Sequence, residues 1–296
     1  EVIRKLGKWS KDKSVKAEIH QTFGKNFIRT EPYGTVLIIG PYNYPFQLLM
    51  EPFIGAISAG NTVVLKPSED TPNTNEVTKK IVADVFPVEH VAVVEGGIEE
   101  TQELLNSEFD YIFFTGSVRV GSIGGEICGR NLIPCTLELG GKSPTIVHKN
   151  AKIKHAAKRI AWGKFINAGQ TCVAPDYVYV HEDVKREFMF ELKFAIEEFY
   201  GEKPLESIDY GKIINQKHFE RLIHLIDSNK LYLGGTFSDR RIAPTVLENV
   251  TWEDKIMEEE IFGPILPVLT YNDETDLIRK LGKRINLWHY MCLLKM

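Results

Sequence analysis

The chain has 296 residues, of which 43% are hydrophobic and 26% are charged, and its formal net charge is −4. This composition is that of an ordinary globular protein long enough for two packed domains. The mildly acidic balance, without a basic stripe, argues against nucleic acid as a partner. No apolar run approaches the ~20 residues that a membrane-spanning helix requires.

Cysteine and histidine usage narrows the class of protein further. The four cysteines form neither a CxxC pair nor a dense framework, which favours a reducing cytoplasm. The eight histidines are scattered without an HExxH or similar spacing, so we expect no catalytic metal.

From residue 35 onwards, short apolar runs alternate with helix-like segments. The strand-like runs read TVLIIG, NTVVLKP, VAVVEGG, YIFFTGS and TLELGG in chain order, and about residues 75–86 are predicted to form one of the helices between them. Continuous apolar strands are typical of a sheet that is buried on both faces. Their alternation with helices predicts a mainly parallel sheet with right-handed crossovers.

The same alternation restarts after TLELGG. PTIVHK, YVYVH and FGPILPVLTY read as strands, and residues 153–166, 182–200 and 216–228 read as helices. The sequence therefore predicts an α/β fold of two domains that meet near residues 130–140. A cleft between two such domains is the expected ligand site.

Glycine-rich loops are the first candidates for binding. FFTGSVRVG places Gly116 and Ser117 where a strand becomes a helix, and the N–H groups at such a helix start can hold a phosphate. The loop lacks the GxGxxG fingerprint, so a plain glycine turn is an equal alternative. GGKS at residues 140–143 resembles the end of a P-loop, but Thr136 stands where that pattern requires glycine.

Polar side chains also follow two of the predicted strands. Lys66 and Glu69, in VLKPSED, lie at the carboxyl end of a buried strand, where open α/β sheets bind ligands. In isolation, a solvated loop pair is the favoured alternative. Asn43, in GPYNYPF, lies in a rigid turn that can present its amide as a hydrogen-bond donor, although Asn is also a routine turn residue.

Two further residues are candidates for the chemistry itself. Glu138 ends an apolar strand beside two glycines, where a carboxylate either needs a partner or shifts toward a useful base; a strand-end cap is the alternative. Cys172 lies in the polar turn of GKFINAGQTCVAPDYV, between a helix-like and a strand-like segment. Cys128 and Cys135 have surroundings typical of small core residues.

Six short motifs then stand in a specific order: PYNYP, KPSE, FTGS, ELGG, GQTC and EIFGP. In this order and spacing, over about residues 31–276, the sequence resembles the aldehyde dehydrogenase superfamily. GQTCVAPDYV and PYNYPF are most similar to the branch that oxidises medium- and long-chain, fatty or aromatic aldehydes. The resemblance implies an NAD(P)-binding, Rossmann-like domain over 1–137 whose N-terminal part is missing, an incomplete catalytic domain over 138–276 and an aberrant tail over 277–296.

The resemblance also implies a role for each matching residue. Cys172 matches the nucleophile, Glu138 the general base, and Asn43 the side-chain donor of an oxyanion hole that is shared with the backbone N–H of Cys172. The cofactor positions are Lys66 and Glu69 at the adenosine ribose, Gly116, Ser117 and Gly121 in the pyrophosphate loop, and Glu260 and Phe262 at the nicotinamide ribose and ring. A carboxylate at Glu69 favours NAD and leaves NADP open.

Together these roles predict NAD(P)-dependent oxidation of an aldehyde to its carboxylic acid, in a family whose members are typically homodimers. The alternative is an inactive, truncated family member that at most binds nucleotide or a full-length partner. It is suggested by the ending LGKRINLWHYMCLLKM, which departs from the family pattern and would expose Trp288, Tyr290, Leu293 and Leu294. A cysteine hydrolase is disfavoured, because no His lies near Cys172 in sequence.

Overall fold

The computed structural model describes residues 1–21, 23–282 and 291–293, which form two units with their boundary between Leu139 and Gly140. The helices of the first unit are α1 (Val2–Trp9), α2 (Gln47–Ser58), α3 (Pro72–Val85), α4 (Ile98–Leu105) and α5 (Val118–Asn131). Its strands are β1 (Lys13–Val15), β2 (Asn26–Ile28), β3 (Thr35–Ile39), β4 (Thr62–Lys66), β5 (Val91–Val93), β6 (Tyr111–Gly116) and β7 (Cys135–Leu139). Within the described ranges, no helix has the length and apolar character needed to cross a bilayer.

The main sheet of the first unit has the strand order β5-β4-β3-β6-β7, and all of its neighbours run parallel. The five predicted strands are present, and the prediction of a parallel sheet is confirmed. The chain moves outward from β3 through β4 to β5, and then crosses to the other side of β3 to form β6 and β7. This change of direction creates a switch point between β3 and β6.

Helices cover both faces of this sheet. Ile38 of β3 is buried in a cluster with Phe53 of α2, whereas its neighbour Leu37 is buried in a separate cluster with Cys128 of α5. Successive side chains of a strand point to opposite faces, so an uninterrupted apolar strand fills two cores at once. Cys128 is therefore a core residue, as predicted.

The second unit contains the remaining elements. Its helices are α6 (Ile153–Phe165), α7 (Lys185–Tyr200), α8 (Gln216–Ile223) and α9 (Glu274–Gly282). Its strands are β8 (Pro144–Val147), β9 (Tyr177–His181), β10 (Leu231–Leu233), β11 (Phe237–Ser238), β12 (Arg241–Ile242), β13 (Thr245–Leu247), β14 (Ile265–Tyr271) and β15 (Met291–Leu293). The sheet order is β10-β13-β14-β9-β8-β15, in which only the β10–β13 pair is antiparallel among the described strands.

This sheet is also buried on both faces. Val178 of β9 lies in a cluster with Ile160 of α6 and Phe188 of α7, whereas Tyr179 packs in the cluster on the opposite face. The α/β class predicted for this half of the chain is therefore confirmed.

Two predicted helices in the second unit have different ends from those expected. The helix predicted over 216–228 ends at Ile223, because Asp227 accepts a hydrogen bond from the backbone N–H of Asn229 at 2.9 Å and starts a separate short turn. The helix predicted over 182–200 begins at Lys185, after a 3-10 turn that the His181 side chain caps.

The helix α9 runs across the predicted start of the tail at residue 277. Its Leu277 and Leu281 are buried in the same cluster as Tyr179, so one face of α9 packs into the core of the second unit. The backbone of β15 pairs with β8 in parallel. Trp288, Tyr290 and Leu294, and the side chain of Leu293, lie outside the described residues.

Two phenylalanines of α7 test this description of the core. Phe188 is completely buried and Phe190 is 65% exposed. We expect Phe188→Ala to lower the free energy of unfolding by ~3–5 kcal/mol, because it leaves a cavity among packed side chains. The matched variant Phe190→Ala should change it by ~0.5 kcal/mol or less. Urea unfolding followed by circular dichroism measures both, and equal losses would contradict the assigned core face.

Candidate active site

In the first unit, the predicted site residues gather at the carboxyl edge of the sheet. Asn43 follows β3, Lys66 ends β4, Gly116 ends β6 and Glu138 is the penultimate residue of β7. The register pairs Ile39 with Lys66. It also pairs the residue before Gly116 with Glu138. Parallel pairing thus brings side chains from distant parts of the chain to one edge, with Asn43 half-buried and Glu138 exposed.

The switch point of this sheet opens onto the start of α5. Ser117 is the N-cap of α5, and its hydroxyl accepts a hydrogen bond from the backbone N–H of Val120 at 3.4 Å. The first-turn N–H groups of a helix and its dipole favour an anion at this end. This edge therefore has the chemistry to hold the phosphates of a dinucleotide.

The two glycines of this loop have packing roles in the structure. A Cβ at Gly116 would lie 2.6 Å from the ring of Phe114. A Cβ at Gly121 would collide with the side chain of Leu139, so the glycine lets α5 approach β7 closely. These packing roles account for the two glycines without a ligand, and the predicted pyrophosphate role stays a prediction.

Lys66 is a buried cation beside two carboxylates. Its Nζ donates a hydrogen bond to the carbonyl oxygen of Pro67 at 2.9 Å. Burial lowers the pKa of Lys66, and the charges of Glu69 and Glu100 oppose that shift. Glu100 is held in turn by the backbone N–H of Gly97 at 2.7 Å. The sequence analysis identified Lys66 and Glu69 but missed Glu100. The signal for Glu100 in the sequence is its position three residues after Gly97, which is typical of a capping box at a helix start.

In the second unit, the predicted residues Cys172, Glu260 and Phe262 lie at the amino edge of the sheet. The turn that carries Cys172 precedes β9, the loop of Glu260 and Phe262 precedes β14, and β9 and β14 are parallel neighbours. Their amino ends therefore lie side by side. The structure brings Cys172, Glu260 and Phe262 to the amino edge of this sheet, whereas open α/β sheets usually bind ligands at the carboxyl edge.

These two loops contact each other through their backbones. Gly169 has a φ of +74°, and a Cβ there would collide with the carbonyl group of Gly263. Asn167, Ala168 and Phe262 also adopt left-handed backbone conformations, with φ of 52°, 50° and 48°. Such conformations carry strain that the surrounding structure must hold, and they concentrate at functional sites. Glycine at 169 is thus required by the close approach of the two loops.

Gln170 fixes the GQTC turn from inside. Its side chain is buried, donates to the carbonyl oxygen of Lys212 at 3.2 Å and accepts from the backbone N–H of Ile214 at 3.0 Å. The following turn is closed by a hydrogen bond from the N–H of Ala174 to the carbonyl oxygen of Thr171 at 3.1 Å. Cys172 is therefore a half-buried thiol on a rigid turn.

Asp176 connects the loops around this turn. Its buried carboxylate accepts from Nζ of Lys142 at 2.6 Å and from the backbone N–H of Ile261 at 2.9 Å. Lys142 also donates to the carbonyl oxygen of Glu259 at 2.8 Å. The peptide groups on both sides of Glu260 are thus held by one ion pair. Both residues lie in quoted motifs, Lys142 in GGKS and Asp176 in GQTCVAPDYV, but the sequence does not show that they pair, because they are 34 positions apart.

The pKa of the Glu260 carboxyl is raised above its ordinary value. Burial raises its pKa to about 7 and Asp176 adds to the shift, whereas the backbone N–H of Gly141 and the charges of Lys164 and Lys142 oppose it. Lys164, in the last turn of α6, is completely buried, and burial lowers its pKa to about 8. In the described part of the chain, no group of three or more His, Cys, Asp or Glu side chains is arranged to hold a metal ion.

The sequence is similar to known proteins over nearly its whole length. The model of the aldehyde dehydrogenase family matches residues 2–283. Over 285 residues the chain is 51% identical to 4,4'-diaponeurosporen-aldehyde dehydrogenase of Staphylococcus aureus, covering 95% of this chain and 62% of that protein. Over 285 residues it is 44% identical to the dimeric, NADP-preferring aldehyde dehydrogenase of Mus musculus, covering 95% and 63%.

A solved structure agrees with these relatives. The aldehyde dehydrogenase of Mycobacterium tuberculosis, complexed with NAD+, matches with a TM-score of 0.82 at 27% identity, over 96% of this chain and 65% of that chain. This chain thus spans less than two thirds of the length of these relatives, from 62% to 65%. Because the family model matches nearly the whole chain, from residue 2 to residue 283, the chain belongs to the aldehyde dehydrogenase family.

Proposed function

We propose that this protein catalyses the NAD(P)-dependent oxidation of an aldehyde to its carboxylic acid, with Cys172 as the nucleophile. The observation that carries the proposal is the rigid GQTC turn. It presents a half-buried thiol and packs backbone against backbone on the loop of Glu260 and Phe262. A core cysteine needs neither a strained turn nor a supporting glutamine, whereas a nucleophile needs a fixed position.

The first step is attack of the Cys172 sulfur on the aldehyde carbon. A free thiol is only a few per cent thiolate near neutral pH but is intrinsically very nucleophilic. The new C–S bond turns the aldehyde oxygen into an oxyanion, and protonation of that oxygen completes a thiohemiacetal. The Asn43 side chain and the Cys172 backbone N–H donate to the oxyanion, and loss of one such donor typically lowers the rate about 10²–10³-fold.

The cofactor in this proposal is a nicotinamide dinucleotide. The strand order, the switch point and the Ser117-capped start of α5 fit its phosphates. Lys66 and Glu69 would hold the adenosine ribose, and Glu260 and Phe262 would hold the nicotinamide ribose and ring. When bound, the dinucleotide would supply the acceptor for the hydride that the thiohemiacetal carbon loses, and the hydroxyl proton would pass to water as the thioester forms. The NADP preference in one relative's name and the NAD+ in one related structure support either nucleotide for this chain.

The final step is hydrolysis of the thioester, for which Glu138 is the proposed general base. Its carboxylate takes a proton from water as the water oxygen attacks the acyl carbon, and the C–S bond then breaks to release the acid and the Cys172 sulfur. A positioned base typically contributes about 10²–10⁴-fold. The exposed position of Glu138 at the end of β7 lets water reach it.

The substrate in this proposal is a medium- or long-chain aliphatic, or aromatic, aldehyde. The form of the GQTC and PYNYP motifs supports it, and so does the name of the Staphylococcus aureus relative, a 4,4'-diaponeurosporen-aldehyde dehydrogenase. We further propose a homodimer in the cytoplasm. The name of the mouse relative, which calls that enzyme dimeric, supports the oligomeric state.

The Cys172→Ser variant tests the nucleophile. Purified protein is mixed with NAD and a panel of aliphatic and aromatic aldehydes, and NADH absorbance is followed. We expect the variant to lower the rate by at least ~10³-fold, because a serine hydroxyl is far less acidic than a thiol and is a much weaker nucleophile near neutral pH. Cys135→Ser, a change at the start of β7, is the control that should retain activity. Full activity in Cys172→Ser would show that the assignment is wrong. No turnover by the unchanged chain, with no NAD binding by calorimetry, would support the inactive alternative.

The Glu138→Gln variant tests the base. Because the base acts after NADH has formed, we expect a normal first burst of NADH and a steady-state rate lowered about 10²–10⁴-fold. Rapid quenching and mass spectrometry should then find the acyl group on Cys172. Glu126→Gln, an exposed change on α5, is the matched control. An unchanged steady state would reject Glu138 and point to Glu260, whose pKa of about 7 suits a base at neutral pH.

A further inference from the structure

The GGK segment, residues 140–142, is a motif to which the proposed catalytic steps give no role. It connects β7 to β8, and Gly140 is the first residue of the second unit. The segment is not part of a P-loop, because Thr136 stands where that pattern requires glycine. In the structure it lies against the loop that carries Glu260, and it contacts both the carboxyl and the neighbouring backbone of that residue.

Gly140 leaves the space that the Glu260 carboxyl occupies. A Cβ at Gly140 would collide with the carboxyl carbon and both oxygens of Glu260. The φ of Gly140 lies outside the left-handed region, so its backbone conformation does not require glycine. Glycine is needed here because only a residue without a side chain allows the carboxyl to approach the backbone this closely.

Lys142 holds the backbone on both sides of Glu260. Its Nζ donates to the carbonyl oxygen of Glu259 at 2.8 Å and to the carboxylate of Asp176 at 2.6 Å. The other oxygen of Asp176 accepts from the backbone N–H of Ile261 at 2.9 Å. Only 13% of the Lys142 side chain and 4% of the Asp176 side chain are exposed, so water competes little for these bonds.

The segment therefore acts on two parts of the same residue. Lys142 fixes where the backbone of Glu260 lies, and Gly140 sets how far its carboxyl can extend. A side chain with a held backbone and a confined end retains little freedom. Burial raises the pKa of this carboxyl to about 7, and the backbone N–H of Gly141 opposes that rise and so favours the ionised form.

We propose that the GGK segment is a positioning element of the cofactor site, which seats Glu260 so that its carboxylate accepts hydrogen bonds from the nicotinamide ribose. The inference rests on the proposed function, in which Glu260 binds that ribose. A displaced carboxylate keeps its charge but loses these hydrogen bonds, since they weaken steeply with distance and angle. The affinity for the dinucleotide therefore depends on the absence of a side chain at Gly140.

The test uses Gly140→Ala, which adds one methyl group at this contact. The carboxyl is the end of a flexible side chain, so the methyl group should displace it without unfolding the protein. We expect the Kd for NAD, measured by calorimetry, to rise about 10–100-fold, as is usual when hydrogen bonds to a charged group are lost. The KM for NAD should rise with it, whereas the midpoint of urea unfolding should stay close to that of the unchanged protein.

Gly211→Ala is the matched control. Gly211 also has a φ outside the left-handed region, but a Cβ there would have no neighbour within 4 Å. The same chemical change should therefore leave both the Kd for NAD and the urea midpoint unaltered.

A double-mutant cycle with Glu260→Ala tests whether Gly140 acts through Glu260. Without the carboxyl there is nothing for the methyl group to displace, so Gly140→Ala should have no further effect on Kd in the Glu260→Ala background. The same fold-increase in both backgrounds would overturn the inference, and so would an unchanged Kd in a folded Gly140→Ala protein. A normal burst of NADH, an unaltered Kd and a lowered steady-state rate would point to Glu138 instead and would also overturn it.

Lys142→Arg tests the backbone half of the contact and decides if Gly140→Ala fails to fold. Arginine keeps the charge beside Asp176, but its planar guanidinium cannot direct its hydrogen bonds to the same acceptors. We expect a Kd for NAD raised about 3–10-fold in the unchanged background and no further rise in the Glu260→Ala background. Equal changes in the two backgrounds, or none in either, would overturn the inference.

Two outcomes distinguish this inference from the function on which it rests. If Glu260→Ala leaves the Kd for NAD unaltered, or the unchanged chain binds no NAD, the proposed role of Glu260 fails and the inference fails with it. If Glu260→Ala weakens binding but Gly140→Ala and Lys142→Arg do not, only the inference is overturned.

Discussion

The candidate site of the second unit depends on the buried carboxylate of Asp176, which accepts hydrogen bonds through both of its oxygens. One oxygen accepts from Lys142, in the loop before β8, and the other from the N–H of Ile261, in the loop before β14; Asp176 itself directly precedes β9. Parallel pairing of β8, β9 and β14 brings the three loops to one edge, but pairing alone does not fix their conformations. Asp176 does so. Removing one partner of a buried ion pair typically costs about 3–5 kcal/mol, because the other charge is left without compensation.

Buried hydrogen bonds also stabilise the strained backbone conformations in these loops. Ala168 and Phe262 adopt left-handed conformations that disfavour an L residue, by about 1–3 kcal/mol each. The buried side chain of Gln170 holds the first of these loops to residues 212–214, and the bond from Asp176 to Ile261 holds the second. A small set of buried polar groups thus maintains conformations that the local sequence does not favour. The thiol of Cys172 and the carboxyl of Glu260 owe their fixed positions to that support.

Local patterns predicted the framework well, and the buried charges poorly. The uninterrupted apolar strands identified both parallel sheets, and the ordered motifs placed Cys172 and Glu260 on loops. Asp176 and Lys164 were missed, because the burial of a charge depends on partners far away in sequence. The burial of Lys164 does have a signal in the sequence. It follows Ile160 by four residues, so helical periodicity places it on the apolar face of α6. Similarly, the end of α8 at Ile223 depends on the capping of the next turn, which helix periodicity does not reveal.

The two units present different kinds of chemistry because their candidate residues lie at different sheet edges. At the carboxyl edge of the first unit, four of the five sheet strands, β3 to β6, lead into a helix, and helix starts offer N–H groups and a positive dipole end to an anion. At the amino edge of the second unit, the GQTC turn follows the end of α6, and helix ends favour cations. Lys164 in the last turn of α6 has this placement. On the proposed function, the first edge suits the phosphates of the dinucleotide, and the second holds the buried ion pair of Lys142 and Asp176 that supports the loops. The direction of the chain at each edge therefore accounts for the kind of group found there.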